Sequence, residues 1–215
     1  MTVAGPTEEQ MAAAWADPKL ANVLYHDWEA TSYDDKWSIS YDERCISYAR
    51  DRFAAIAGTE GWPYPSALEL GCGVGLSTLA ATSAGFDVLS TDYYEDALDV
   101  TRANVFRNLG KIARTRLVDW RHLPLDLGIF DLIFASDVLY ENEYAKLLPV
   151  LLRGLLSSDG IVMIADPGRV AAPVFVEACA EHGLVIRKKE TRPFEAGEIK
   201  QKIDIYEIMN TDSSD

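Results

Sequence analysis

The sequence predicts a three-layer α/β fold, in which a mostly parallel sheet of about seven strands is covered by helices on both faces. After residue 65, short apolar runs alternate with longer segments of helical periodicity, as expected for βαβ units. The last two runs, residues 184–192 and 201–209, are separated by segment 193–200, whose proline and glycine predict an antiparallel hairpin. With 215 residues, 48% of them hydrophobic, the chain can bury one sizeable core.

The strands and helices follow from the periodicity of the apolar residues. Five strands are expected before the hairpin, near residues 66–70, 87–91, 112–118, 130–135 and 160–165. The intervening patterns predict helices near residues 76–84, 94–109, 141–156 and 170–182. The last helix ends at His182 and Gly183, where glycine can adopt a left-handed cap.

The first 60 residues differ from the rest of the chain. They show helical patterns rich in tryptophan, tyrosine and acidic residues and lack a clear strand signal. We expect residues 1–60 to form a helical lid or cap, residues 61–210 to form the ligand-binding domain, and residues 211–215 to be a disordered tail.

Charge and cysteine content restrict the possible functions. The chain has 34 acidic and 20 basic residues, and its formal net charge of −14 repels nucleic acid. Cys45, Cys72 and Cys179 are widely spaced, which predicts neither a disulfide framework nor a metal site. No apolar run approaches the roughly 20 residues that cross a bilayer, and the N-terminus lacks a signal-peptide pattern. We expect a cytoplasmic monomer or homodimer without a membrane partner.

A glycine turn after the first strand is the strongest sign of a ligand site. Residues 69–75 read ELGCGVG, and the following helix would direct backbone N–H groups at the anionic end of a ligand. The spacing does not match the dinucleotide pattern G-x-G-x-x-G, which disfavours a nicotinamide dinucleotide. Glu69, just before the turn, would repel a pyrophosphate but hold an ammonium group.

Acidic and aromatic residues at the ends of the next two strands extend this site. Asp92 ends the second strand, where a carboxylate can accept hydrogen bonds from both ribose hydroxyls, and Tyr93 is a further candidate beside it. After the third strand, Asp119 adds an acceptor and Trp120 a ring that can line an adenine pocket. A ligand with a carboxylate, an ammonium, a ribose and an adenine, but no phosphate, satisfies these positions.

These features resemble motif I of the class I, seven-strand S-adenosylmethionine-dependent methyltransferases, which have a Rossmann-like fold. That motif reads E-x-G-x-G-x-G and is followed by an acid that closes the second strand; the resemblance covers roughly residues 64–209. It implies S-adenosylmethionine as the cofactor, without a metal. The implied contacts are the methionine part at Gly71, Gly73 and Gly75, the ribose at Asp92, and the adenine at Asp119 and Trp120.

The polar cluster after the fourth strand is the predicted acceptor side. Ligands of open α/β sheets bind beyond the carboxyl ends of the strands, so Ser136, Asp137 and Tyr140 should face the methyl group. Their segment, SDVLY, resembles the D-x-x-Y element of the seven-strand lysine methyltransferases, and the segments VDWR and IADPGR resemble the same group. Asp137 would orient an amine and help its proton leave, and Tyr140 would contact the same nitrogen. Alternatively, Asp137 caps the next helix and Tyr140 is a core aromatic.

The N-terminal part points to a different acceptor. Residues 25–45 are similar to the aromatic and acidic lead helices of bacterial small-molecule methyltransferases, in which a tyrosine closes over the methionine end of the cofactor. Tyr33 and Trp37 are the candidates for this contact. Three functions stay open: methylation of an amine such as a protein lysine, methylation of a small metabolite at oxygen, nitrogen or carbon, and a cofactor-binding scaffold without catalysis.

Overall fold

Residues 66–196 and 199–211, together with Thr7 and Glu9, are described by the computed structural model, with the backbone alone for residues 194–196 and 199. The chain divides into two units, Met1–Ile46 and Ser47–Asp215, and the fold below belongs to the second. Apart from Thr7 and Glu9, the predicted lid lies outside the described residues, as do Tyr33, Trp37 and residues 212–215 of the predicted tail. The predicted boundary near residue 60 stays a prediction.

Seven strands form one mixed sheet in this part of the chain. They are β1 (Ala67–Leu70), β2 (Val88–Asp92), β3 (Arg114–Leu117), β4 (Phe130–Ser136), β5 (Leu156–Asp166), β6 (Leu184–Ala196) and β7 (Ile199–Asn210). Their order is β3-β2-β1-β4-β5-β7-β6. Strands β1 to β5 are parallel to one another, and β7 is antiparallel to both β5 and β6. The predicted fold class is thus confirmed.

Helices connect the parallel strands. They are α1 (Leu76–Ser83), α2 (Glu95–Leu109), α3 (Asn142–Leu155) and α4 (Ala172–Glu181), with a short 3₁₀ helix at Trp120–His122. The ends of α2 suit the helix dipole, because Glu95 and Asp96 lie in its first turn, Arg107 in its last, and the left-handed Gly110 follows. Gly183, after α4, is left-handed as predicted, with φ of +70°.

Alternating side chains of the central strands build two apolar layers. On one face, Leu68 of β1 and Ile133 of β4 belong to the larger core cluster, which also contains Leu152 of α3 and Phe175 of α4. On the other face, the neighbouring residues Ala67 and Leu132 pack in a second cluster with Ala81 of α1. This alternation places helices on both faces of the sheet, as the three-layer prediction requires.

Strands β5 and β6 extend well beyond their predicted bounds. The segment predicted as a loop at residues 193–200 is mostly strand, since Ala196 of β6 pairs with Ile199 of β7. Pro193 is tolerated because β6 is an edge strand, the position in a sheet where proline occurs. Strand β5 begins at Leu156, earlier than predicted, because Leu156 pairs with Phe130 of β4 before a register shift.

The hairpin of β6 and β7 extends past the sheet at the edge where the candidate site lies. Pairing between β5 and β7 ends with Asp166 opposite Asp204, so residues 199–203 have no partner in β5. In this extension, the Gln201 side chain donates a hydrogen bond of 3.4 Å to the carbonyl of Pro167. The hairpin therefore contacts the loop that follows β5.

Gly75→Ala is expected to destabilise the fold more than Gly110→Ala. Both glycines are left-handed, with φ of +82° and +64°, a conformation that costs another residue about 1–2 kcal/mol. A Cβ at Gly75 would also lie 2.6–2.9 Å from side-chain atoms of Thr101, whereas one at Gly110 would meet nothing within 4 Å. This overlap should add about 1–3 kcal/mol. Urea unfolding measures both variants, and equal losses would contradict the expectation.

Candidate active site

The glycine turn between β1 and α1 is tied to the neighbouring elements through its backbone. Gly71, Gly73 and Gly75 are all left-handed, with φ of +67°, +53° and +82°. The Thr101 hydroxyl of α2 donates a bond of 3.0 Å to the carbonyl of Gly73, and the Asn104 amide donates one of 2.8 Å to the carbonyl of Val74. Asn104 thus supports the turn from α2.

The absence of side chains leaves two different kinds of space along this turn. A Cβ at Gly71 would lie 3.0 Å from Cγ1 of Val138 and 3.9 Å from the Trp120 ring, so the loops after β3 and β4 both approach this glycine. A Cβ at Gly73 would meet nothing within 4 Å. The turn is therefore closely packed at Gly71 and open at Gly73.

Asp92, the last residue of β2, faces the glycine turn. Its Oδ2 accepts a hydrogen bond of 2.9 Å from the backbone N–H of Gly73, and its Oδ1 accepts one of 3.0 Å from the N–H of Tyr94. The residue is 9% exposed. Since each carboxylate oxygen can accept more than one bond, both oxygens can also accept hydrogen bonds from a ligand.

Glu69 has a different environment from the one expected. It lies within β1, as predicted, but it is buried and accepts a hydrogen bond from the Thr78 hydroxyl of α1. Desolvation by burial raises the pKa of its carboxyl group to about 8. The raised pKa favours the neutral form near pH 7 and weakens the negative charge that was expected to hold a ligand ammonium. Contact between Glu69 and a cofactor stays a prediction.

Asp119 and Trp120 lie at the start of the 3₁₀ helix after β3. The Asp119 carboxylate accepts bonds of 2.9 and 2.8 Å from Nε and Nη2 of Arg121, and this ion pair holds the pKa of Asp119 well below its usual range. The Arg121 guanidinium carbon lies 5.4 Å from the centroid of the exposed Tyr93 ring. Trp120 packs edge-on against Tyr144 with a centroid distance of 5.9 Å. Arg121, which joins Asp119 to Tyr93, was not predicted.

The predicted acceptor residues meet an arginine that sequence reasoning did not assign. Asp137 follows the exposed Ser136 at the end of β4, and its carboxylate accepts bonds of 2.6 and 2.7 Å from Nε and Nη2 of Arg169. The guanidinium carbon of Arg169 also lies 4.3 Å from the centroid of the Tyr140 ring. Asp137 and Tyr140 are thus brought together by Arg169, whose only sequence signal is its place in the segment IADPGR.

Across residues 66–196 and 199–211, the structure contains no group of three or more histidine, cysteine, aspartate or glutamate residues that could hold a metal ion. Cys72 and Cys179 are buried and free, and burial raises the pKa of each thiol to about 12. No helix in the part of the chain that the structure describes is long and apolar enough to cross a membrane.

Comparison with known proteins gives a family match over residues 28–181, to the lysine methyltransferase family. A protein-lysine N-methyltransferase of Schizosaccharomyces pombe, rrg1, is 34% identical over 118 residues, which cover 48% of this chain and 39% of that protein. The histidine protein methyltransferase 1 homolog of Dictyostelium discoideum is 31% identical over 135 residues, covering 60% of this chain and 41% of that protein. The chain spans less than half the length of either relative.

A solved structure supports the fold. Magnesium protoporphyrin IX methyltransferase from Synechocystis, with bound S-adenosylmethionine, superposes with a TM-score of 0.62 over 86% of this chain and 95% of that one. The two sequences are 15% identical, so this likeness concerns the fold alone.

The raised pKa of Glu69 predicts a pH dependence of stability that Glu69→Gln removes. The carboxyl group has a pKa of about 8 in the folded state and 4.5 as its ordinary value, so the folded state holds the proton more tightly. Its stabilising effect is complete below pH 4.5 and is lost as the pH rises through about 8. Glutamine cannot ionise, so the stability of the variant relative to the wild type should increase as the pH rises within this window.

The unfolding free energy of Glu69→Gln relative to that of the wild type should rise with pH by up to about 1.4 kcal/mol per pH unit. Urea unfolding of both proteins between pH 5.5 and 8 tests it, because subtraction removes the contributions of the other titrating groups. Parallel stability curves would show that Glu69 is ionised in the folded protein.

Proposed function

Because the chain belongs to the lysine methyltransferase family, we propose that it transfers the methyl group of S-adenosylmethionine to a lysine side chain of another protein. The observation that carries this proposal is the left-handed glycine turn at the carboxyl end of β1, hydrogen-bonded at Gly73 to Asp92. The names of the two relatives, which modify lysine and histidine in proteins, support a nitrogen acceptor in a protein.

The residues around the glycine turn fit such a cofactor. The open space at Gly73 admits a ligand against the backbone, and the Asp92 carboxylate can accept hydrogen bonds from ribose hydroxyls. We propose that Tyr93, Asp119 and Trp120 line the adenine side. Glu69, buried and neutral, would support the turn by joining β1 to α1 through Thr78.

The chemistry asks the protein mainly for positioning and for exclusion of water. S-adenosylmethionine, when bound, supplies a methyl group on a sulfonium, which is already a good leaving group. The lysine must arrive as a neutral amine, although its ordinary pKa is about 10.4. We propose that Asp137 orients this amine and accepts its proton through water, and that Tyr140 contacts the nitrogen with its ring or hydroxyl.

The second candidate is a small-molecule methyltransferase. It is favoured by the aromatic and acidic residues 25–45, which lie outside the described residues. Tyr33 and Trp37 would then close over the methionine end of the cofactor. The net charge of −14 argues against nucleic acid as the substrate of either enzyme. A cytoplasmic location and a monomeric or dimeric state belong to the same proposal.

A labelled methyl group distinguishes the candidates and tests Asp137. Purified protein is incubated with methyl-labelled S-adenosylmethionine and a cell extract, and label is expected in the protein fraction, on lysine. Asp137→Asn should lower turnover about 10²–10⁴-fold, because the variant keeps the size of the side chain but loses its charge.

The matched control is Asp126→Asn, which breaks an exposed pair with Arg116 away from the acceptor side. Label in the small-molecule fraction would favour the second candidate. Absence of transfer, despite cofactor binding, would favour a scaffold.

Asp92→Ala is expected to weaken binding of S-adenosylhomocysteine about tenfold or more without added metal. Hydrogen bonds to a charged group contribute about 1.5–3 kcal/mol, and the variant loses the acceptor for the ribose hydroxyls. Isothermal titration calorimetry measures the affinity. The control is Asp87→Ala, since Asp87 lies just before the same strand at its opposite end and pairs with Arg114. Equal affinities of Asp92→Ala and the wild type would remove Asp92 from the site.

A further inference from the structure

Arg169 contacts both residues of the proposed acceptor side. Its guanidinium binds the Asp137 carboxylate through Nε and Nη2, and its carbon lies 4.3 Å from the centroid of the Tyr140 ring. We propose that Arg169 is a positioning residue for methyl transfer, which holds Asp137 and Tyr140 in one arrangement and favours the neutral form of the acceptor amine. This inference rests on the proposed function.

The loop that carries Arg169 is itself fixed from two sides. Asp166, the buried last residue of β5, accepts bonds of 2.9 and 3.0 Å at its Oδ2 from the N–H groups of Gly168 and Arg169. From the hairpin, Gln201 donates to the carbonyl of Pro167. The arginine is therefore presented by a preformed loop and loses little further freedom when it pairs.

The backbone of Asp137 has a conformation that must be stabilised by neighbouring groups such as Arg169. Asp137 is the single non-glycine residue with a positive φ, +56°, among those that the structure describes. This conformation costs of the order of 1–3 kcal/mol and persists only where surrounding contacts enforce it. Two contacts do so here: the Asp137 N–H donates a bond of 2.8 Å to the carbonyl of Ala165, and the carboxylate pairs with Arg169.

A guanidinium suits this role better than an ammonium. Its planar group offers paired donors to a carboxylate while its flat face stacks on an aromatic ring, which the point charge of lysine does not reproduce. Arg169→Lys would therefore keep the charge but lose the geometry, whereas Arg169→Gln would lose both.

The charge of Arg169 has its own consequence for the acceptor. Like charges disfavour each other, so a fixed cation between Asp137 and Tyr140 opposes an ammonium there and favours the neutral amine, the form that can be methylated. The charged and titratable groups that face the guanidinium are Asp137, Tyr140 and Asp166. Without the Arg169 guanidinium, the carboxyl groups of Asp137 and Asp166 would stabilise an ammonium.

The first experiment requires no acceptor. With 3-fluorotyrosine incorporated at position 140, the fluorine resonance of the wild type should be a single narrow line. Arg169→Gln should shift and broaden it, while Arg114→Gln, which breaks a pair with Asp87 at the opposite end of the sheet, should leave it unchanged. An unchanged resonance in folded Arg169→Gln overturns the proposal.

The second experiment measures turnover on the labelled protein acceptor as a function of pH. Both Arg169→Lys and Arg169→Gln should lower kcat about 10-fold or more with little change in cofactor affinity. Arg169→Gln alone should move the midpoint of the pH–rate profile upward, by about one pH unit. At a pH above the midpoint of every variant, where the amine is neutral in each, the double variant Asp137→Asn/Arg169→Gln should have nearly the kcat of Asp137→Asn, because Arg169 then acts through Asp137.

Additive losses, or a pH profile that stays in place, would overturn the positioning role. A wild-type protein that methylates no acceptor would contradict the proposed function instead, and the fluorine spectrum would still decide whether Arg169 holds Tyr140.

Discussion

The hydrogen bond from the Gly73 N–H to the Asp92 carboxylate joins the first two strands at the edge where the site lies. It requires the left-handed backbone of the glycine turn, which in turn directs the chain from β1 into α1. Thr101 and Asn104 of α2 hold the carbonyls of the same turn. The polar residues that hold the glycine turn thus lie on β2 and α2. The apolar layers on both faces of the sheet fix the positions of β1, β2 and α1.

Much of the fold could be predicted because its signals are local. Alternation of apolar runs and helical patterns is a property of short windows, and it identified the parallel strands and the helices between them. The hairpin loop was predicted too long, for a physical reason. Proline and glycine are strong local indications of a loop, but Pro193 lies on an edge strand, the position in a sheet where proline occurs. Only the strand order, a tertiary property, identifies that edge.

The sequence predicted which residues lie at this edge of the sheet, but not the protonation state or the ion pairs of their side chains. Glu69 was identified by its place in the glycine motif, yet its ionisation depends on burial beneath α1, which the motif does not contain. Arg169 was missed for a related reason. It is 32 positions from Asp137 along the chain, and the sequence does not show that the loops after β4 and β5 lie side by side.

Asp119 and Asp137, the acidic residues of the candidate site that pair with an arginine, differ in what their pairing requires. Asp119 binds Arg121 two positions away, within one short 3₁₀ helix, so this pair needs only local structure. Asp137 binds Arg169 only because Ser136 of β4 and Ala165 of β5 are neighbours in the sheet.

The order of the acceptor side therefore depends on the pairing of β4 with β5. Any change that loosens the carboxyl ends of these two strands should disturb Asp137 first, since its left-handed backbone depends on contacts from β5 and the loop that follows. The cofactor side, tied to β2 and α2, should be affected less. In the proposed function, binding of the cofactor and transfer to the acceptor would thus depend on separate parts of one sheet edge.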